Sequence, residues 1–238
     1  MMRYLFGGIL SLLLIACNST SLDVCSTAFE TTEIQVVKST TRLAGDTRSA
    51  TVEVFSIREQ GVAFGTGTVF KYKGKTIVLT AAHVIGGVEN AVGIAVDGEK
   101  MFATLVYYDE STDLAVLEAP DITEWGVEPM NMRPLKESNL KIGLDVLYSG
   151  YPNLSGLLTI EGYIAGVHPR GDLYMHSYGW SGASGSAIFD TKGRLVGVLV
   201  ALDVGQGYVG MPSIIEDVVV VVPVWKLDFE LLDLNLQD

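Results

Sequence analysis

Basic residues are in short supply. Sixteen lysines and arginines face 28 acidic residues, and the formal charge is −12. No cluster of basic residues stands out, which argues against a nucleic-acid partner, because phosphate binding needs a basic surface. The acidity itself is read as solubility. Cysteine is scarcer, with only Cys17 and Cys25 in the chain. Three scattered histidines, His83, His168 and His176, have no accompanying cysteines and make no zinc site. No metal or cofactor is expected. Gly74-Lys75-Thr76 is no phosphate loop, because Val69 stands where the upstream glycine is required. Arg170-Gly171-Asp172 reads as a chance tripeptide in a turn. Long helical periodicity is scarce and no internal repeat is visible.

What is present begins with the N-terminus. Arg3 precedes an apolar run from Leu5 to Ile15, too short to span a bilayer comfortably and laid out as a secretory signal. Leu14-Ile15-Ala16-Cys17 resembles the bacterial lipoprotein box, in which the signal is cut before the cysteine and the cysteine is acylated. That resemblance implies a lipid anchor at Cys17. Multiple acyl chains hold firmly to a membrane where one is marginal. Asn18 in the following position points, by resemblance to the sorting rule of enteric bacteria, to the outer membrane facing the periplasm. An ordinary signal or an uncleaved anchor are the alternatives. With Cys17 lipidated, Cys25 has no internal disulfide partner.

Composition then divides the chain. Residues 1–16 are the signal, and 17–48 a Ser/Thr-rich tether in which Glu33 to Val37 suits a short strand. From Thr51 the pattern changes to short Val/Ile/Leu/Tyr runs broken by the frequent glycines. Thr51 to Ile57 alternates with period two. Val62 to Tyr72 and Thr76 to Thr80 form a hairpin, and Ala91 to Val96, Met101 to Tyr108 and Leu114 to Glu118 follow. A second set covers Gly143 to Gly150, Leu157 to Val167, Leu173 to Ser177, Ser186 to Phe189, Leu195 to Leu202 and Val218 to Val222. The fold class is therefore all-β, with two small antiparallel barrels: 49–125 the first, 126–140 a connector, 141–238 the second with its C-terminal segment. Val224 to Leu232 fits a short terminal helix or a strand.

Three segments carry chemistry: Thr80-Ala81-Ala82-His83-Val84, then Ser111-Thr112-Asp113-Leu114-Ala115-Val116-Leu117, then Gly182-Ala183-Ser184-Gly185-Ser186-Ala187. A serine hydroxyl is a weak nucleophile until an imidazole takes its proton. A carboxylate behind the imidazole fixes its tautomer and stabilises its cation. The oxyanion that follows needs preorganised N–H donors, which a tight glycine-bearing turn supplies. The segments resemble the chymotrypsin-like serine peptidases over roughly residues 50 to 225, with six-stranded barrels. They are nearest to the bacterial heat-shock (HtrA/Deg-type) and glutamyl-endopeptidase branches. Gly65-Thr66-Gly67-Thr68-Val69, Phe189-Asp190 and Gly197-Val198 add to the likeness. The resemblance implies His83, Asp113 and Ser184 as the triad and the backbone of Gly182 and Ser184 as the oxyanion hole. The order His, Asp, Ser separates it from α/β-hydrolases and subtilisins. Ser181 and Ser186 compete for the nucleophile role but lack the Gly-x-Ser-Gly frame.

Ala183 departs from the pattern, since the family usually places Asp or Asn there. The trypsin-type activation route is then closed, and a looser oxyanion loop would favour a catalytically idle homologue acting as a binding lipoprotein. The sequence ends at Asp238 without the PDZ module of typical heat-shock members. By family position Tyr178 lies near the base of the substrate pocket, with Val200, Ala201 and Leu202 along its wall. A non-acidic Tyr178 speaks against Lys/Arg preference and for a small or apolar residue before the scissile bond. Protein or peptide substrates are the expected partners.

Overall fold

The computed structural model describes residues 41–119, 122–154, 156–206 and 212–237, with the backbone alone at 154, 202–206 and 212–216. Cys17, Cys25 and the predicted signal lie outside the described residues. The chain from Ser39 onward forms one unit.

Residues 41–49 are helical, although the expected tether runs to 48. Leu43, Thr47 and Ala50 recur with helical spacing and are buried. Burying Leu43 is worth about 2 kcal/mol. Thr47 Oγ1 meets Ser149 Oγ at 2.9 Å, and Arg48 donates to the Leu157 carbonyl at 3.1 Å. The Ser/Thr richness of the segment hid an apolar face that needs a distant strand to cover it.

The first sheet contains β1 (Thr51–Arg58), β2 (Gly61–Tyr72), β3 (Lys75–Ala81), β4 (Ala91–Val96), β5 (Glu99–Phe102), β6 (Thr104–Asp109) and β7 (Leu114–Glu118) in the order β5-β4-β1-β2-β3-β7-β6. β5 and β6 replace the single strand expected over Met101 to Tyr108. They end the order on opposite sides yet follow one another in the chain, parted only by Ala103. The sheet therefore curls until its edges meet through covalent chain, where the expectation was a closed ladder. β8 (Met130–Asn131), within the connector, adds in parallel to β2.

The second barrel is closed, in the order β10-β11-β14-β13-β12-β9. Its strands are β9 (Asp145–Gly150), β10 (Leu158–Val167), β11 (Leu173–His176), β12 (Ala187–Asp190), β13 (Leu195–Gln206) and β14 (Pro212–Pro223). β13 and β14 outrun their expected lengths. The core divides in two. Val196 and Leu199 fill the second barrel, while Val198 and Val200 face a core shared with the first, the change of side between Val196 and Val198 falling where the pairing of β12 with β13 shifts register between Leu195 and Gly197. Phe70 of β2 packs on Phe189 of β12 across that seam, ring centres 6.0 Å apart.

The C-terminal segment is a 3-10 turn, Val224–Lys226, and a helix, Phe229–Asn235. The helix binds back to the first sheet. Asp233 accepts from Tyr72 Oη at 2.9 Å and from Lys73 Nζ, and Asn235 Nδ2 donates to the Val106 carbonyl at 2.7 Å. Burial and the Asp233 carboxylate push the Tyr72 phenol up to about 12. Asp228 caps the helix, accepting from the backbone of Glu230 and Leu231 at 3.0 Å each. Asp228→Ala should cost about 1 kcal/mol in urea unfolding, and an unchanged midpoint would show that the helix contributes nothing to the cooperative fold.

Candidate active site

β3 ends at Ala81, and the chain turns once as a helix, Ala82–Ile85, before Gly86 stops it in the left-handed region at φ 78°. His83 sits on this turn. Asp113 holds the turn's start. Its carbonyl accepts from Ala82 N–H at 3.1 Å, and its Oδ1 accepts from His83 N–H at 2.8 Å. Its other oxygen, Oδ2, lies 2.8 Å from His83 Nδ1. One carboxylate thus fixes both the backbone and the ring of His83, leaving Nε2 for chemistry.

Asp113 is itself in the left-handed region, at φ 56°. Asp109 makes that possible. Its carboxylate accepts from Ser111 N–H at 2.8 Å, Ser111 Oγ at 2.7 Å and Thr112 Oγ1 at 2.9 Å, winding the loop that presents Asp113. The Ser111 hydroxyl, foremost among these donors, holds the Asp109 carboxyl below the usual carboxylate range. At the other end of the turn, Arg58 donates to the carbonyls of His83 at 2.6 Å and Val84 at 2.7 Å. Ser56 Oγ adds a bond to the Val84 carbonyl at 2.8 Å. These donors satisfy carbonyls that a helix end leaves open.

The loop that carries Ser184 comes from the second barrel and requires its glycines. Gly182 has φ 96°, and a Cβ there would lie 2.4 Å from the Tyr151 carbonyl oxygen. Gly185 has φ 93°, and its Cβ would fall 2.0 Å from the Thr66 carbonyl oxygen. Between them Ser184 is half-buried. Its carbonyl accepts from Thr66 N–H at 2.8 Å, and Thr66 Oγ1 donates to the Gly182 carbonyl at 2.7 Å. Gly65, adjacent, has room for no side chain. A Cβ would meet Val84 Cγ2 at 2.5 Å and the Ser184 carbonyl oxygen at 2.9 Å, so the turn bearing His83 and the loop bearing Ser184 crowd one glycine.

The loop's N–H groups divide in a chemically useful way. Ala183, Gly185 and Ser186 donate to Trp180, Leu199 and Ala183 carbonyls. Among the described residues, the N–H groups of Gly182 and Ser184 have no protein acceptor. A planar trans peptide explains why. The Ser181 carbonyl turns toward Asn153 N–H at 2.5 Å, and the Ala183 carbonyl toward Ser186 N–H at 3.1 Å, so the following N–H in each case points the other way. Ser186 is buried and its hydroxyl is committed to the Ala183 carbonyl at 2.7 Å. The Ala183 methyl is buried in the second core, where a polar side chain would need a partner. Ser184 Oγ makes no hydrogen bond among the described residues. Such contacts are often long until substrate draws them in.

The expected pocket is less well assembled. The Tyr178 ring is exposed, its carbonyl held by Tyr148 Oη at 2.6 Å. Val200 is buried in the shared core and Ala201 is exposed, while the Leu202 side chain lies outside the described residues. A cavity of about 210 Å³ beside the loop is lined instead by Phe64, Asn153, Ser181 and Gly182. His168 and His176 stand apart, packed against Tyr174 and Tyr163. Sequence reading missed Arg58, Phe64 and Asp109. The Asp109-x-Ser111-Thr112 turn was the legible signal, whereas Arg58 and Phe64 act across the fold.

A family model described as the trypsin-like peptidase domain matches residues 65–198, and the chain belongs to that family of serine proteases. The chain is 26% identical over 207 residues to a protein named serine protease HtrA-like from Staphylococcus epidermidis, covering 77% of this chain and 34% of that protein. It is also 26% identical over 190 residues to the protein of that name from Staphylococcus aureus, covering 72% and 23%. The chain thus spans about a third or less of the length of these curated relatives. Its fold is similar to the serine endoprotease from Yersinia pestis (TM-score 0.63, 24% identity, covering 81% of this chain and 66% of that one). It is also similar to the Rv3671c protease of M. tuberculosis in its active form (TM-score 0.61, 23% identity, covering 79% and 82%).

Two substitutions test the scaffold around His83. Asp109→Ala should lower kcat about a hundredfold by releasing Asp113. Because folding lowers the Asp109 pKa, its contribution to stability is full above the ordinary aspartate value of 3.8 and disappears as pH falls through the lowered folded value. The melting-temperature gap between parent and variant should therefore narrow in acid. Arg58→Met should lower kcat roughly tenfold with KM unchanged, whereas equal kcat values would show that the carbonyl caps do not govern His83.

Proposed function

We propose that this chain is a serine endopeptidase that hydrolyses peptide bonds in proteins through His83, Asp113 and Ser184. Ser184 Oγ attacks the scissile carbonyl as His83 Nε2 takes its proton, and the bond order of the carbonyl falls as its oxygen becomes an anion. The N–H groups of Gly182 and Ser184 receive that charge. His83 then gives the proton to the departing amine, leaving an acyl-enzyme on Ser184. Water then attacks the acyl carbon as the same imidazole takes its proton, and the bond to Ser184 Oγ breaks as that proton passes to Oγ, releasing the acid and restoring the resting site. Asp113 holds the ring in the tautomer with a proton on Nδ1 and balances the imidazolium without itself taking the proton. The observation that carries this reading is the double grip of Asp113 on His83, ring and backbone, at 2.8 Å each. The unclaimed N–H groups flanking Ala183 lend further support.

The chain is proposed to act outside the cytoplasm, anchored by lipid on Cys17 to the outer membrane and facing the periplasm. This rests on the Leu14-Ile15-Ala16-Cys17 box and Asn18. Incorporation of labelled palmitate into the parent and not into Cys17→Ser tests it, and equal incorporation refutes it.

The catalytic reading is tested with a fluorophosphonate probe and a casein substrate on the full chain. Parent protein should be labelled and should cleave casein, and Ser184→Ala should lose labelling and about 10⁴-fold or more in turnover. A folded parent that resists the probe would instead favour the idle homologue, for which Ala183 is the suspect.

A further inference from the structure

A second cavity, of about 810 Å³, shares no residue with the reaction centre. Three parts of the chain wall it: the helix over 41–49, the connector around β8, and the turn from β12 to β13. Its volume falls within the range of small-molecule sites. β12 begins three residues after Ser184 and ends at that turn, so the cavity and the loop of Ser184 lie at opposite ends of one strand. Four strand residues span about 13 Å.

The walls hold charges of both signs. Arg42 and Asp46 pair along the helix at 3.9 Å and offset one another. Glu128 and Arg133 flank β8, and Lys192 comes from the turn. The side chains of these three have no hydrogen-bond or ion-pair partner among the described residues. Their backbones are nonetheless pinned. Glu128 N–H donates to the Ser49 carbonyl at 2.9 Å, Leu195 N–H to the Arg133 carbonyl at 2.8 Å, and Lys192 N–H to the buried Asp190 carboxylate at 3.0 Å. Leu43, Pro129 and Met130 give the cavity an apolar part.

Two unpaired cations and one unpaired carboxylate set the chemistry of the ligand. In a chain of formal charge −12, an anion is repelled almost everywhere else. A phosphate group satisfies Arg133 and Lys192 through charge-assisted bonds. A bare phosphate would also meet the like charge of Glu128. A phosphate that carries an ammonium on a short methylene arm answers all three charges and lays the arm on the apolar part. Position points to the source. Arg42 is the second described residue, so the cavity stands where the chain arrives from Cys17. We infer that this cavity binds an ethanolamine phosphate group, presented as the headgroup of a membrane lipid, and so seats the domain against the membrane. The lipid source, though not the charge pattern, rests on the anchor proposed at Cys17.

The test uses the full chain in detergent micelles. It is titrated calorimetrically with glycerophosphoethanolamine, with glycerol 3-phosphate, which lacks the amine, and with ethanolamine, which lacks the phosphate. The first compound should bind at least about tenfold tighter than either of the others. Arg133→Gln/Lys192→Gln should abolish its binding, and Glu128→Gln should bring it down to the level of glycerol 3-phosphate. All three residues lie outside the catalytic machinery, so fluorophosphonate labelling and unfolding midpoints should match the parent. Equal affinity of the parent for the three compounds, or binding unchanged in either variant, overturns the site. So does a parent oligomer that Arg133→Gln/Lys192→Gln converts to monomer with no headgroup binding, since the cavity would then join copies of the chain. The lipid source is read by hydrogen exchange of the full chain in nanodiscs. Peptides covering 128–133 and 190–194 should exchange at least about fivefold slower with phosphatidylethanolamine than with phosphatidylcholine, whose methylated ammonium has no N–H for Glu128. Protection by glycerophosphoethanolamine in micelles but by neither nanodisc overturns the lipid source and makes the ligand a free metabolite. Headgroup binding by a chain that takes up no palmitate removes the anchor and upholds the site.

Discussion

The site depends on one buried residue, Thr66. Every polar group it owns is used. Its N–H donates to the Ser184 carbonyl at 2.8 Å and its hydroxyl to the Gly182 carbonyl at 2.7 Å. The hydroxyl also accepts from Tyr151 N–H at 3.0 Å, and its carbonyl accepts from Thr80 Oγ1 at 2.7 Å. Thr66 lies on β2 of the first barrel, and Gly182 and Ser184 belong to the second. At this fully buried position two bonds thus tie the loop to the sheet, a third joins Tyr151 of the second barrel, and a fourth holds Thr66 to β3 of its own sheet; losing either partner of one of them would leave an unpaired group at a cost of about 1–3 kcal/mol. His83, carried three residues after Thr80, takes its place from the same junction.

The rest of the geometry follows from where the chain tolerates unusual backbone. Gly182 and Gly185 take positive φ beside carbonyl oxygens that leave no space for Cβ, and the loop between them is drawn tight against Thr66. That tightness spends the N–H groups of Ala183, Gly185 and Ser186 inside the protein and leaves those of Gly182 and Ser184. Asp113 bears a second strained backbone, which Asp109 stabilises with a set of short bonds. Preorganisation of this kind lets dipoles face a developing charge without rearranging during reaction.

Much of this was legible in the sequence because the decisive features are local. Period-two alternation in Thr51 to Ile57 marks β1, and the glycines around Ser184 mark a turn. The His, Asp and Ser motifs are contiguous runs whose order separates the chain from α/β-hydrolases and subtilisins. What stayed hidden depends on contacts across long separations. The helix over 41–49 is a Ser/Thr-rich stretch until Ser149 and Leu157 come to meet it. The first barrel closes through Ala103, a bend that nothing in the Met101 to Tyr108 alternation announces. Phe64 reads as an ordinary strand residue, and only the fold brings it beside Asn153, Ser181 and Gly182 at the cavity. Arg58, at the end of β1, gains its meaning from carbonyls 25 and 26 positions further on.

The central claim is that Ser184 reacts within a hole formed by the N–H groups of Gly182 and Ser184, beside a His83 held by Asp113. The most direct measurement is a crystal structure of the adduct formed with diisopropyl fluorophosphate. The account predicts phosphorus bonded to Ser184 Oγ, with its phosphoryl oxygen about 2.7–3.1 Å from the nitrogens of Gly182 and Ser184 and His83 Nε2 turned toward Oγ. Phosphorus on Ser181, or a phosphoryl oxygen directed into solvent away from both N–H groups, would contradict it.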